Sequence, residues 1–426
     1  MKPNVPTPTN ICSYVHGEFV TPANQHTLPI INPATEAQVS RLHEADAAEV
    51  DLAVQAARAS FDSGVWSRQS TDRRQATLLR VRDLIFKHAE ELATLECLNT
   101  GIPYMQLKKL HIPGAGVQFQ FHSEAASQLK GELHQQRSGY QLQVSREPAG
   151  VAALISPWNG PINLSCTKIA AALAYGNSCV LKPSEYTPLA FKKLMEIFQE
   201  AGIPDGVVNM VNGRGVVTGA ALVEHPGVDL VSFTGGGNSG KIVNSIAAKS
   251  LKRTTMELGG KSANIILESA DLEVALDGAL ASIFTGNGQQ CLAGSRILVQ
   301  KSIAREFISK FVARAQAIRI GDPFDPATEL GPLAYRAHMD KVLDYVKVAR
   351  DEGAVLHCGG SRAPGFEKGL YLEPIVVEAN SNAMRICQEE VFGPFATFLE
   401  FDTLEEAIAI ANDSEFGLVS YLWSND

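Results

Sequence analysis

Apolar residues recur through residues 46 to 63, DAAEVDLAVQAARASFDS, at the spacing of one helix face behind an Asp start, which predicts an amphipathic helix. A second helical pattern, DRRQATLLRVRDLIFKHAEELATLECLNTG, runs to a stop at Gly101. From Val151 the pattern becomes short apolar runs alternating with helical stretches. VAALISPWN reads as strand and loop, KIAAALAYG as helix, SCVLKPSE as strand and loop, and PLAFKKLMEIFQEAG as a helix ending at Gly202. GVVNMVNG is then a strand, GAALVEHP a helix, and DLVSFTGGGNSG the next strand and loop. Such alternation predicts βαβ units and a mainly parallel sheet, with ligand sites in the loops at the carboxyl ends of the strands. Just before Val151, QLKGELHQQRSGYQLQVSREP is polar and alternating around Ser138-Gly139, so it reads as a hairpin outside that core. After Glu257 the units SANIILES, VALDGALASIFTG, SRILVQ and REFISKFVARAQAI predict a second α/β domain with its own sheet.

The glycines of residues 229 to 242 carry two phosphate-loop patterns at once. Gly235, Gly240 and Lys241 spell G-x-x-x-x-G-K, but Ile242 stands where a triphosphate loop needs a hydroxyl, so that reading fails. Gly235, Gly237 and Gly240 spell G-x-G-x-x-G after a strand and before a helical stretch, with an acid, Glu257, about 20 residues on. On that reading Glu257 holds a ribose.

Composition narrows the class. With 426 residues the chain suits two or three domains, and 45% hydrophobic against 19% charged residues is ordinary for a globular protein. A net charge of −9 argues against a protein that coats nucleic acid or an anionic membrane. No apolar run reaches the length of a membrane span. MKPNVPTPTN has one lysine and no apolar core, so it reads as a loose start rather than a secretory signal. The seven cysteines are scattered and lack C-x-x-C pairs, which points to neither a disulfide framework nor a metal site and fits a reducing cytoplasm.

Two residues carry candidate chemistry. Cys291 sits in GNGQQCLAGSR among polar residues and glycines, where backbone amides can approach a reacting atom, a setting suited to a nucleophilic thiolate. A buried structural thiol is the bland alternative. Glu257, between Met256 and Leu258 and followed by two glycines, is expected to be partly desolvated, which raises a carboxyl pKa toward the range of a general base. That conflicts with the ribose role.

SPWNGP (156 to 161), LKPSE (181 to 185), FTGGGNSG (233 to 240), ELGGK (257 to 261), GQQCLAGSR (288 to 296) and EEVFGP (389 to 394) together resemble the aldehyde dehydrogenase superfamily, in its motif order. The step from Glu257 to Cys291 (291 − 257 = 34) also fits the family pattern. The resemblance implies an α/β fold: a Rossmann-type cofactor domain (1–125 and 147–258), a β oligomerisation arm (126–146) and an α/β catalytic domain (259–426). It implies NAD(P)+-dependent oxidation of an aldehyde to an acid through a cysteine thiohemiacetal and thioester. Cys291 is then the nucleophile, Asn159 and the Cys291 N–H the oxyanion hole, Glu257 the base and Lys168 part of a proton path. Lys182 and Glu185 would bind the adenosine ribose, Glu390 the nicotinamide ribose, and Phe392 would pack nearby. Trp158, Gly215, Thr234, Gly235, Gly236, Gly240 and Leu258 complete the expected cofactor contacts. The G-x-G-x-x-G match is then largely accidental, and Gly236-Gly237 replaces the family's frequent Ser-Thr.

The same resemblance implies NAD+ in preference to NADP+, because Glu185 would repel a 2′-phosphate, with NADP+ use left open. Gln290 and Leu292 imply a neutral pocket for uncharged aldehydes, and Gly160 a wider approach to it. A cytoplasmic homo-oligomer, dimer or tetramer, is the expected assembly, with no nucleic-acid or membrane partner. The family continues for several dozen residues beyond FGLVSYLWSND, so an unpaired edge at VSYLWS, a weakened arm and impaired turnover are expected. The alternatives are a fold that binds cofactor only, or a CoA-acylating relative, against which Glu257 speaks.

Overall fold

The computed structural model describes residues 4–21 and 24–426, and among them the strands form four sheets. The expected loose start falls partly on residues 1 to 3, outside the described residues; by Asn10–Ile11 the chain already pairs in parallel with Gln38–His43.

The sheet that positions the site runs in the order Arg253–Glu257, Leu230–Thr234, Val151–Ile155, Ser178–Lys182 and Val208–Met210, all parallel. Tyr14–Val15 and Glu18–Phe19 extend it antiparallel. VAALI and SCVLK lack polar alternation because both of their faces are covered. Ala152 and Leu154 pack into one core with the helices Thr71–Lys87, Ala89–Thr100, Ile112–Ala126, Pro161–Ala174 and Phe191–Ala201. Val151, Ala153 and Ile155 face the opposite core, with Val50, Ala53, Val54 and Ala57 of the helix Ala47–Ser63. Asp46 caps that helix by accepting from the Glu49 N–H at 3.0 Å, and Gly64 ends it in the left-handed region.

The long helical pattern through residues 72 to 100 is two helices, broken at His88 (φ −99°, ψ 16°). No Gly or Pro marks the break. His88 ends one helix and starts the next, its ring 3.3 Å from Glu91 and 3.8 Å from Glu200, and the second helix turns inward so that residues 92 to 100 are all buried. The helix expected at GAALVEHP is shorter, Ala220–Glu224, and is preceded by a wider turn, Gly215–Gly219.

The second sheet runs Val355–Cys358, Ile375–Glu378, Phe395–Phe401, Arg296–Gln300, Ala263–Ile266 and Tyr421–Trp423, parallel except at its first pair. Tyr421–Trp423 is an edge strand: it pairs with Ala263–Ile266, and Trp423 Nε1 donates to Asn264 Oδ1 at 2.8 Å. The polar hairpin is present as Glu132–Arg137 and Tyr140–Val144, turning at Gly139 (φ +85°). Its near end differs from the expected span, because Ala126 still belongs to the helix Ile112–Ala126.

Candidate active site

The carboxyl ends of Val151–Ile155, Ser178–Lys182 and Leu230–Thr234 open into a cavity of about 530 Å3. Trp158, Lys182, Glu185, Gly215, Thr234, Gly235 and Gly236 line it. Lys182 is fully buried and its Nζ donates to the Pro183 carbonyl at 2.8 Å and lies 3.5 Å from Glu185 Oε2. Burial pulls its pKa down, and Glu185 opposes this. The other Glu185 oxygen accepts from the Gly215 N–H at 3.4 Å. The acid therefore spans the gap between two strand-end loops.

The floor of this cavity is the start of the helix Gly237–Ala248, whose first turn has no side-chain cap. Its N-terminal N–H groups are open to a ligand, and a Cβ on Gly236 or Gly237 would meet nothing within 4 Å. Gly240 differs from these two, because the end of the Leu258 side chain occupies the space a Cβ would need there, so a larger residue would have to displace it. The Gly235 N–H donates to the Glu257 carbonyl at 3.1 Å, closing the turn.

A second cavity of about 290 Å3 continues from the first and shares Trp158, Thr234, Gly235 and Gly236 with it. Asn159, Leu258, Cys291, Glu390 and Phe392 also line it. Cys291 comes from the other α/β layer and is held by left-handed turns at Gly286, Asn287 and Gly288. The Asn287 amide donates to the Gly101 and Pro332 carbonyls at 3.0 and 2.9 Å and accepts from the Gly331 N–H at 2.8 Å. Gly288 lies so close to the Gly393 backbone that a side chain would collide with it. The loops GNGQQC and EEVFGP are thereby locked together.

Cys291 is half-buried, and burial raises its thiol pKa above the ordinary value. Glu390 and Glu257 push it the same way, while the Cys291 and Leu292 N–H groups pull it back. Burial thus works against the thiolate that the polar, glycine-rich setting suggests. The expectation of a desolvated Glu257 is corrected. On the edge strand Arg253–Glu257 the period of two turns Met256 inward and Glu257 outward, so the Glu257 side chain is exposed. In register, Glu257 lies beside Thr234, and Ser232 two residues earlier accepts from Lys168 Nζ at 2.9 Å. Burial pulls the Lys168 pKa to about 8, with Glu257 opposing.

Asn159 Nδ2 donates to the Gln289 carbonyl at 2.8 Å, which holds the amide two residues from Cys291 in the chain. Glu390 Oε1 accepts from the Gly260 N–H at 3.1 Å, and burial raises its pKa. Phe392 adopts a left-handed backbone (φ +65°) and packs its ring on Trp158. Tyr335, His338 and Lys341 also line this cavity, and Arg214 lines the first one; sequence reading missed all four. RAHMDK carries no motif and reads as an ordinary helix start. Its aromatic company reveals it in three dimensions: Trp158 and His338 touch each other, and each touches both Tyr335 and Phe392.

A family model described as the aldehyde dehydrogenase family matches residues 19–426. Retinal dehydrogenase 2 of Homo sapiens is 40% identical over 415 residues, which cover 97% of this chain and 80% of that protein. Betaine aldehyde dehydrogenase of Bacillus subtilis (strain 168) is 40% identical over 416 residues, covering 97% and 85%. Among solved structures, the NAD+ complex of an aldehyde dehydrogenase from Bacillus cereus superposes with a TM-score of 0.95 at 39% identity, covering 98% of this chain and 84% of that one.

Proposed function

The chain belongs to the aldehyde dehydrogenase family, and from that premise we propose how its own residues perform NAD(P)+-dependent oxidation of an aldehyde to a carboxylic acid. The observation that carries the reading is one continuous cleft with an uncapped helix N-terminus and Glu185 at one end and Cys291 at the other. The fit to a dinucleotide rests on the open space over Gly236 and Gly237, where an anionic pyrophosphate would meet free N–H groups. Glu185, steadied by Lys182 and the Gly215 N–H, would accept from an adenosine ribose, and Glu390 from the second ribose. Trp158, Thr234, Gly235, Leu258 and Phe392 would form the walls between them. When bound, the nicotinamide supplies the hydride acceptor.

Cys291 Sγ attacks the aldehyde carbon, and its raised pKa means that the thiol proton must leave to a base. Glu257, electrostatically coupled to both Cys291 and Lys168, is the acceptor we assign; it then releases that proton to solvent, with Lys168 and Ser232 on the proton path, and is free to act again. The oxyanion of the resulting thiohemiacetal is held by the Asn159 amide and the Cys291 N–H. Loss of hydride leaves a thioester on Cys291. Glu257 deprotonates the water that cleaves it, releasing the acid and restoring the thiol.

The family implies aldehyde substrates and usually oligomers. Among the described residues no helix is long and apolar enough to cross a membrane. The exposed Leu133, Tyr140 and Leu142 on the hairpin support a homo-oligomer, dimer or tetramer, and the free, scattered cysteines support a reducing cytoplasm as its location. Following NADH formation across an aldehyde panel, with Cys291→Ala as the blank, tests the activity. No aldehyde-dependent NADH above that blank would refute it.

A further inference from the structure

Tyr186 and Tyr335 stack face to face, with ring centroids 3.9 Å apart and planes 7° from parallel. The two rings come from opposite sides of the cleft. Tyr186 follows Glu185 in the loop after the strand Ser178–Lys182, and it lines the first cavity. Tyr335 directly precedes the helix Arg336–Asp351, and it lines the second. Each backbone is anchored on its own side. The Tyr186 carbonyl accepts from Asn99 Nδ2 at 2.9 Å, and the neighbouring Thr187 hydroxyl donates to the Trp158 carbonyl at 3.2 Å. The Tyr335 carbonyl accepts from the His338 and Met339 N–H groups, both at 3.2 Å, and so closes the first turn of its helix.

That first turn leads to the far end of the cleft. His338 Nε2 lies 2.6 Å from the Phe392 carbonyl, and Lys341 Nζ donates to the Glu390 carbonyl at 3.0 Å. A line of contacts therefore runs from Glu185 through the two stacked rings to the Glu390 loop. Tyr335 is also braced edge-on against Trp158 at 5.3 Å. Burial first, and then Tyr186 and the charge of Glu185, push the Tyr335 phenol pKa up to about 12, so the acid and the far ring are electrically close. Tyr186 is 44% exposed, and a ring that open would sample several rotamers without a partner. The stack holds it in one.

We propose that Tyr186 and Tyr335 are positioning residues that fix the two halves of the dinucleotide site at one span, so that a cofactor bound by one half is presented to the other. This rests on the assignment of Glu185 and Glu390 to the two riboses. A dinucleotide is two ligands joined by a linker, and its affinity exceeds that of either half by an effective concentration that depends on how well the span is kept. Breaking the stack leaves each half-site in place and lets the span vary. The cost then falls on the whole dinucleotide and spares its adenosine half.

The test is calorimetric titration with NAD+ and, separately, with adenosine monophosphate, on the parent, Tyr186→Ala, Tyr335→Ala, the double alanine variant, Tyr186→Phe and Tyr335→Phe. Each single alanine variant should bind NAD+ about three- to tenfold more weakly, the range expected of one aromatic pair. Adenosine monophosphate should stay within about twofold of the parent, and the double variant should be no weaker than the weaker single one, because one contact is lost in all three. The phenylalanine variants keep the stack and should match the parent. Should Tyr335→Ala fail to fold, Tyr186→Ala against Tyr186→Phe decides alone. Unchanged NAD+ affinity overturns the proposal. So does an equal loss for adenosine monophosphate in Tyr186→Ala, which would make that ring a wall of the pocket and no more. Glu185→Gln and Glu390→Gln are the controls: unchanged NAD+ affinity in both removes the ribose assignments and the coupling with them, whereas failure in the tyrosine variants alone leaves those assignments standing.

Discussion

The His338 ring Nε2 meets the Phe392 backbone carbonyl at 2.6 Å, and Phe392 is one of the few non-glycine residues held in the left-handed region. A phenylalanine adopts that conformation only where its surroundings impose it. The hydrogen bond is one such restraint, and the ring contacts of His338 with Trp158 and Phe392 are another. His338→Ala is therefore expected to weaken NAD+ binding about five- to tenfold, read by calorimetric titration. Burial pulls the folded His338 pKa down to about 4, so its contribution to stability is present above about pH 6.5 and lost as pH falls through 4. Unchanged NAD+ affinity in the alanine variant would show that Phe392 is held without His338.

The state of Cys291 can be read without turnover. Because burial and two carboxylates raise its pKa, alkylation by iodoacetamide in the cofactor-free protein should still be accelerating at pH 9. Mass spectrometry of the Cys291 peptide across pH checks this; a plateau below pH 8 would mean that the thiolate is already favoured. Cys291→Ala should form no NADH with any aldehyde.

For Glu257 the expected result is a split between two half-reactions. Glu257→Gln should give a slow first turnover of NADH and then stall with an acyl group on Cys291, because hydrolysis needs the base most. Intact-protein mass spectrometry after mixing with aldehyde and NAD+ detects the adduct. Normal steady turnover with no adduct sinks the assignment.

Much of this was legible along the chain, and the misses have physical causes. The parallel sheet was readable because VAALI and SCVLK are apolar on both faces and each is followed by a helical period. The break at His88 was not, because polar partners and burial make it, with no breaker residue at the bend. Glu257 was misjudged from its apolar sequence neighbours; in a strand the nearest neighbours point to the other face. Tyr335, His338 and Lys341 reach the cleft from a helix start far along the chain, and no local pattern announces which residues of a loop will meet Trp158.

Cofactor choice turns on the charges around Glu185. The acid disfavours a 2′-phosphate, while Arg214, which lines the same cavity, is committed to Glu44 through contacts of 2.8 Å from both Nε and a terminal nitrogen. NAD+ is thus expected to exceed NADP+ in kcat/KM by on the order of 10- to 100-fold, and Glu185→Ala to narrow the gap. Equal values for the two cofactors, unchanged in the variant, would show that the acid plays no such part.

Glu96 sets the last expectation. It lies fully buried behind the helix Pro161–Ala174, where Oε1 accepts from the Ile162 N–H at 3.3 Å and Oε2 has no partner. Burial pushes its pKa up to about 8, so the carboxyl is neutral in the fold at neutral pH and ionised in the unfolded chain. A raised folded pKa gives stability that is full below about pH 4.5 and is lost as pH rises through 8, a span worth roughly 4 to 5 kcal/mol. Glu96→Gln keeps an acceptor for Ile162 but cannot ionise, so its melting temperature should fall much less than the parent's between pH 5 and 9. Calorimetric scans of both proteins at matched ionic strength would decide. Parallel curves would mean that Glu96 ionises in the folded chain as freely as in the unfolded one.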